Sequence, residues 1–260
     1  MNSKLIKAVL IGAFIVLTSI LTYSGLNKKE ASIDFAELAK EKAEQMSSQN
    51  ADAFENVLKN IGSSTTIVKP DILQSNDTGR LALSIRLLDS MRQYVYAGVL
   101  SEKLANIQHS PNNYYKASYY FLLATEKKEN ELMLFKKSKS NLEKCLEIDP
   151  DNLQAKVELA VSTYNIFRLE PPQNPMDNMK PAKLLLQVVQ KDSNHIDGLY
   201  YLGKLSVESN QLEKAIARFK KLVSLQPQNP VFYHELSEIY RMKGDLNEAQ
   251  AWNDKAQALK

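Results

Sequence analysis

The chain has 260 residues, of which 44% are hydrophobic and 24% charged, a balance that is ordinary for a globular protein. Its formal net charge is only +3 and its lysines are interspersed with acidic residues, which argues against a nucleic-acid-binding surface. Glycine is scarce, and few segments alternate polar and apolar residues with a period of two, so the sequence predicts an all-helical fold.

The first predicted element is an apolar helix near the N-terminus. It follows a short tail, residues 1–7, and segment 8–26 carries no charge over a length that crosses a bilayer core at about 1.5 Å per residue. We predict a retained single-pass transmembrane helix. The alternative is a cleaved signal peptide, although the end of the segment matches a cleavage site poorly and no cysteine follows it to carry a lipid.

The lysines on the two sides of this segment balance, and the free N-terminal amine favours a cytoplasmic N-terminus. Residues 27–260 are then expected on the extracytoplasmic, periplasmic side. The single cysteine, Cys145, has no partner within the chain for a disulfide, so it is compatible with either side. It falls among apolar residues of a predicted helix, which is typical of a small buried hydrophobic residue.

Residues 27–61 are predicted to form membrane-proximal helices, because apolar residues recur at helical spacing over 35–46 and again over 53–61. These helices either pack on the elements that follow or form a stalk or coiled-coil dimerisation device. Residues 62–79 contain glycine, proline and small polar residues, and are predicted to be a linker.

Residues 80–260 are predicted to form consecutive pairs of helices. The first three pairs are Arg80–Met91 with Tyr94–Ile107, Tyr114–Ala124 with Leu132–Ile148, and Leu153–Phe167 with Pro181–Val189. The third pair, 153–195, is interrupted by a proline-rich insertion, and Pro181 suits the first turn of its second helix.

The last two pairs, 196–229 and 230–260, repeat with a period of about 34 residues. The matching positions are Leu202 with Leu236, Asn210 with Gly244, and Ala215 with Ala249. Residues 210–211 can supply a tight turn between two helices, and small residues stand where the helices must approach closely. One pair cannot bury its apolar faces alone, which favours a stacked array.

The pattern Leu199-x2-Leu202-Gly203, followed by Ala215, Phe219 and Pro227, resembles the tetratricopeptide repeat (TPR). The resemblance implies a solenoid of helical hairpins whose first helices line a concave groove for a protein or peptide partner. Carried onto this chain, the groove residues are Gln154, Tyr164, Tyr200, Lys204, His234, Glu238 and Arg241. The tyrosines and cations among them favour an extended peptide with an acidic group. The alternative is an ordinary polar face with no fixed ligand.

Three stretches, 181–186, 198–203 and 215–219, also resemble the periplasmic TPR part of cytochrome c maturation subunits, over roughly residues 140–240. That resemblance implies a chaperone that presents unfolded apocytochrome to the haem-attachment machinery.

The sequence contains no metal-ligand, phosphate-binding or nucleophile motif, and its three histidines are not at ligand spacing. We therefore predict no cofactor, no metal and no enzymatic activity. The leading hypothesis is a membrane-anchored TPR adaptor or scaffold that binds partners through its groove. The alternatives are a periplasmic chaperone or assembly factor of cytochrome c maturation type, and a helical-repeat enzyme acting on the cell envelope. The partner's identity and the oligomeric state stay open.

Overall fold

The computed structural model describes residues 70–259, which form eleven α-helices and two short 3-10 helices. The α-helices are α1 Pro70–Gln74, α2 Thr78–Ser90, α3 Tyr94–Gln108, α4 Pro111–Ala124, α5 Glu131–Ile148, α6 Leu153–Leu169, α7 Lys180–Lys191, α8 Ile196–Glu208, α9 Leu212–Leu225, α10 Pro230–Lys243 and α11 Leu246–Gln257. The 3-10 helices are Thr125–Lys127 and Pro175–Met179. The prediction of an all-helical fold is confirmed for these residues.

The predicted transmembrane segment 8–26 and the membrane-proximal segment 27–61 lie outside the described residues. Within 70–259, none of the helices has the length and apolarity needed to cross a membrane. The predicted linker 62–79 differs from the structure at its end, because it contains α1 and because α2 begins at Thr78. Asp77 explains the earlier start of α2: its side-chain oxygen caps the helix by accepting from the backbone N–H of Arg80 at 3.0 Å.

The helices from α2 to α11 form five antiparallel hairpins: α2 with α3, α4 with α5, α6 with α7, α8 with α9, and α10 with α11. The second helix of each hairpin also packs on the first helix of the next hairpin, so contacts run between neighbours along the chain. In four hairpins the turn contains a residue with positive φ. These residues are Arg92, Lys128 and Asn130 in one turn, Asn210, and Gly244.

Asparagine caps start two of the first helices. Asn152 accepts from the N–H of Ala155 at 3.0 Å before α6, and Asn229 accepts from the N–H of Val231 at 3.1 Å before α10. Each asparagine stands two residues after a proline, which cannot continue the preceding helix. The third hairpin departs from this regularity, since its insertion folds into the 3-10 helix Pro175–Met179 before α7 begins.

The core is a chain of clusters that each join successive hairpins. One cluster draws on α3 to α6, the next on α6, α7 and α8, and the last on α8 to α11. Gly203 permits the closest approach within the fourth hairpin, because a Cβ built on it would lie 2.8 Å from Cε2 of the fully buried Phe219. The sequence predicted a small residue where two helices approach closely, and Gly203 lies at such a contact between α8 and α9.

Candidate functional site

The first helices α4, α6, α8 and α10 share one face, which we call the first-helix face. Hydrogen bonds between side chains join each helix to the next across it. They run from Tyr115 to Glu158 at 2.5 Å, from Gln154 to Asp197 at 3.1 Å, from Tyr164 to Glu208 at 2.8 Å, and from Lys204 to Glu235 at 3.0 Å. The predicted groove residues Gln154, Tyr164 and Lys204 thus take part in bonds that order this face.

A pocket of about 180 Å³ opens on this face between α6, α7 and α8. Buried Ala160 and Leu185 line it together with the half-buried Val161 and Leu205. The more polar lining residues are Tyr164, Asn165, Tyr200, Tyr201, Lys204 and Glu208. An apolar interior with a few polar groups around it is the usual construction of a site that holds a ligand side chain.

Tyr200 contributes to the core as well as to the pocket. Its ring makes an edge contact with Phe219 at 5.9 Å between centroids and lies 6.3 Å from Phe232. Burial raises the pKa of Tyr200, and the nearby Glu235 carboxylate raises it further. A change at Tyr200 would therefore disturb the packing of α8 on α9 and α10 as well as any ligand.

Tyr201 is the more exposed of the two adjacent tyrosines, with 36% of its surface accessible, and the sequence prediction missed it. Its ring makes an edge contact with that of Tyr200 at 5.3 Å and it lines the same pocket. The two consecutive tyrosines in the sequence could have indicated this, because successive helical residues are about 100° apart and both can border one face.

The predicted cations of the groove are held by carboxylates of the chain itself. Lys204 Nζ lies 3.0 Å from both carboxylate oxygens of Glu235, a residue that the sequence prediction also missed. Arg241 pairs with Glu238 at 2.5 Å one turn away on α10. The structure therefore brings Tyr164, Tyr200 and Lys204 together at the pocket, while Glu238, Arg241 and the half-buried His234 lie on α10 outside its lining.

Glu158 is a carboxylate in an unusual position on α6. Its Oε1 accepts from the hydroxyl of Tyr115, whereas Oε2 is buried and has no hydrogen-bond partner among the described residues. Burial is the largest effect on the pKa of Glu158 and raises it. Hydrogen bonding from the side chains of Tyr115, Gln154 and Ser118 opposes the rise, and the negative charge of Asp197 on α8 adds to it. The part of the chain that the structure describes therefore leaves this negative charge without a cation.

The described residues contain no group of His, Cys, Asp or Glu that could hold a metal ion. Cys145 lies in the core on α5, and burial raises the pKa of its thiol to about 11. The thiol is thus neutral near pH 7 and packs as a small apolar side chain, as the sequence predicted.

Comparison with known proteins agrees with the hairpin geometry. Two tetratricopeptide-repeat family models match residues 196–229 and 219–251. Searching curated proteins by sequence gives no match.

Solved structures with a similar fold include MamA residues 41 to the end from Desulfovibrio magneticus RS-1, with a TM-score of 0.57 and 16% identity. That match covers 71% of this chain and 96% of MamA. Another is YrrB, described as a TPR protein with an unusual peptide-binding site, with a TM-score of 0.50 and 18% identity over 71% of this chain and 87% of YrrB.

The stacked hairpins define a helical-repeat protein whose first helices present a shared face. The family matches make the class specific for part of the chain: residues 196–251 are tetratricopeptide repeats.

Proposed function

We propose that this chain is a membrane-anchored adaptor that binds an extended segment of a partner protein on its first-helix face. The pocket between α6, α7 and α8 carries the proposal, because its apolar interior and polar surround suit a side chain of a peptide. Hydrogen bonds from Tyr164 and Lys204 to the next first helix hold two of its lining side chains in place before any ligand arrives. The peptide-binding site named for YrrB, which has a similar fold, adds support.

The anchor in this proposal is segment 8–26, supported by its uncharged, apolar sequence. Residues 27–260 would then be held at the extracytoplasmic surface, where partners are recruited. Fractionation of cells with alkaline carbonate tests this part alone. The full chain should stay with the membranes and a chain lacking residues 8–26 should be released. Release of the full chain would refute the anchor and would not affect the proposal that the first-helix face binds a partner.

The binding proposal is tested by mild crosslinking in intact cells, purification of the full chain and identification of the captured proteins. The informative variant is Tyr201→Ala, which removes an accessible aromatic ring from the pocket. The matched control is Tyr119→Ala, which removes an exposed tyrosine of α4 that does not line the pocket. We expect a discrete set of proteins to be lost with Tyr201→Ala and kept with Tyr119→Ala. Equal capture by both variants would move partner binding away from this pocket.

A further inference from the structure

Building on the proposed function, we propose that the pocket selects a partner segment in which a lysine or arginine adjoins an aliphatic residue. The aliphatic side chain enters the pocket between α6, α7 and α8, and the cation faces Glu158 and Asp197 on the same face. This assignment is opposite in charge to the acidic peptide that the groove's tyrosines and cations suggest when only the sequence is considered.

The first argument is the state of the cations on this face. Lys204 is held by both oxygens of Glu235, and Arg241 is held by Glu238. An acidic ligand would have to compete with a carboxylate already in place for either cation. Such competition lowers the gain that a new charge-assisted hydrogen bond supplies, and it does so more at Lys204, because its partner Glu235 is less exposed than Glu238.

The second argument is the state of the carboxylates. Glu158, Asp197 and Glu208 each accept from a neutral group of a neighbouring first helix: a tyrosine hydroxyl for the two glutamates and the Gln154 amide for the aspartate. Arg168 lies near enough to Tyr164 to lower its pKa, so positive charge is available at the Glu208 end of the pocket. The excess of negative charge is therefore greatest around Glu158 and Asp197.

The third argument is the position of the acidic pair along the helices. Glu158 precedes the lining residue Val161 by three residues on α6, and Asp197 precedes the lining residue Tyr201 by four on α8, so each lies about one helical turn from the pocket. Their charges also raise the pKa of Tyr201, after the larger effect of burial. The exposed Asp197 can accept from an ammonium or guanidinium group, and the Glu158 carboxylate, whose Oε2 is buried without a hydrogen bond from the described residues, adds its negative charge beside it. The Tyr201 ring offers an aromatic surface beside the same charges, which favours a cation further.

The fourth argument is size. A cavity of about 150 Å³ lined by apolar residues accommodates a benzene molecule, so the pocket of about 180 Å³ holds an aliphatic side chain with little space left over. The pocket thus holds the aliphatic residue of the partner segment, and the acidic pair, Glu158 and Asp197, attracts its lysine or arginine.

The test uses the full chain in mild detergent and fluorescein-labelled, end-capped peptides of equal length, followed by fluorescence anisotropy. Each peptide carries three copies of one dipeptide, Leu-Lys, Leu-Glu or Leu-Ser, separated by Gly-Ser. We expect the Leu-Lys peptide to bind about tenfold more tightly than Leu-Ser, with Leu-Glu the weakest, since a charge-assisted bond is worth about 1.5–3 kcal/mol.

The variant Glu158→Gln should lower the affinity for Leu-Lys about tenfold and leave Leu-Ser unchanged. Glu143→Gln is its matched control, because it removes the same charge from an exposed position on α5. An equal loss with both variants would reveal a general charge effect and overturn the inference.

The two proposals fail differently in this assay. Equal affinity for the three peptides, each lowered by Tyr201→Ala, would overturn the basic selectivity and leave the binding pocket standing. Tighter binding of Leu-Glu would do the same and would restore the acidic-ligand interpretation. Absence of binding by all three, or binding insensitive to Tyr201→Ala, would count against the pocket itself.

Discussion

The contact between Gly203 on α8 and Phe219 on α9 gives the sharpest test of the fold. In Gly203→Ala the new methyl group would lie 2.8 Å from Cε2 of a fully buried ring. Overpacking of this kind costs about 1–3 kcal/mol. Replacing glycine by alanine within a helix gains about 1 kcal/mol. The net expectation is a destabilisation of about 1 kcal/mol.

The two contributions separate in a double-mutant cycle. In the Phe219→Leu background the ring is gone, so Gly203→Ala should keep only its helix-forming gain and stabilise by about 1 kcal/mol. The coupling energy, about 1–3 kcal/mol, is then the overpacking itself. Urea unfolding followed by fluorescence measures it, since Trp252 is the single tryptophan and packs against the cluster that contains Phe219.

Gly98→Ala is the control for this cycle, because its Cβ would meet Phe121 on α4 at 2.8 Å and not Phe219. It should be equally destabilising with Phe219 or Leu at position 219, as assessed by far-ultraviolet circular dichroism. Stabilisation by Gly203→Ala in the unaltered chain would refute the close approach of α8 and α9, and with it the reason for a small residue at this position.

Three further predictions concern single side chains. Asn229→Ala removes the acceptor for the N–H of Val231 and should lower the free energy of unfolding by about 1 kcal/mol in urea titration; no change would exclude the cap. Cys145 should react with a thiol reagent only after unfolding, because it is buried and its pKa is about 11; rapid labelling of the native chain would contradict this. Glu158→Gln should raise the melting temperature at pH 8, because glutamine still accepts from Tyr115 without a buried charge. Since the folded pKa of Glu158 is raised, this difference should shrink as the pH falls through it, and a constant difference at pH 4 would contradict the assignment.

The sequence by itself determined the repeat unit and much of its local geometry. Asn210 and Gly244 occupy matching positions, and both adopt positive φ, at 55° and 84°. Gly203 and Ala215 are small where α8 and α9 touch, and the prolines end helices before capping asparagines. These features are local or repeat at a fixed period, so residue identity alone reveals them.

Only the tertiary structure decided the chemistry of the first-helix face. The resemblance to the tetratricopeptide repeat predicted Tyr200, Lys204 and Arg241 on that face, but it gave no sign that Glu235 would hold Lys204 from α10. It also passed over Glu158, whose charge is buried by contact with residues more than one helix away. Which side chain of one helix meets which side chain of another depends on the distance between the two helices, their crossing angle and their relative register. Those quantities follow from how the core packs, and helical periodicity does not contain them.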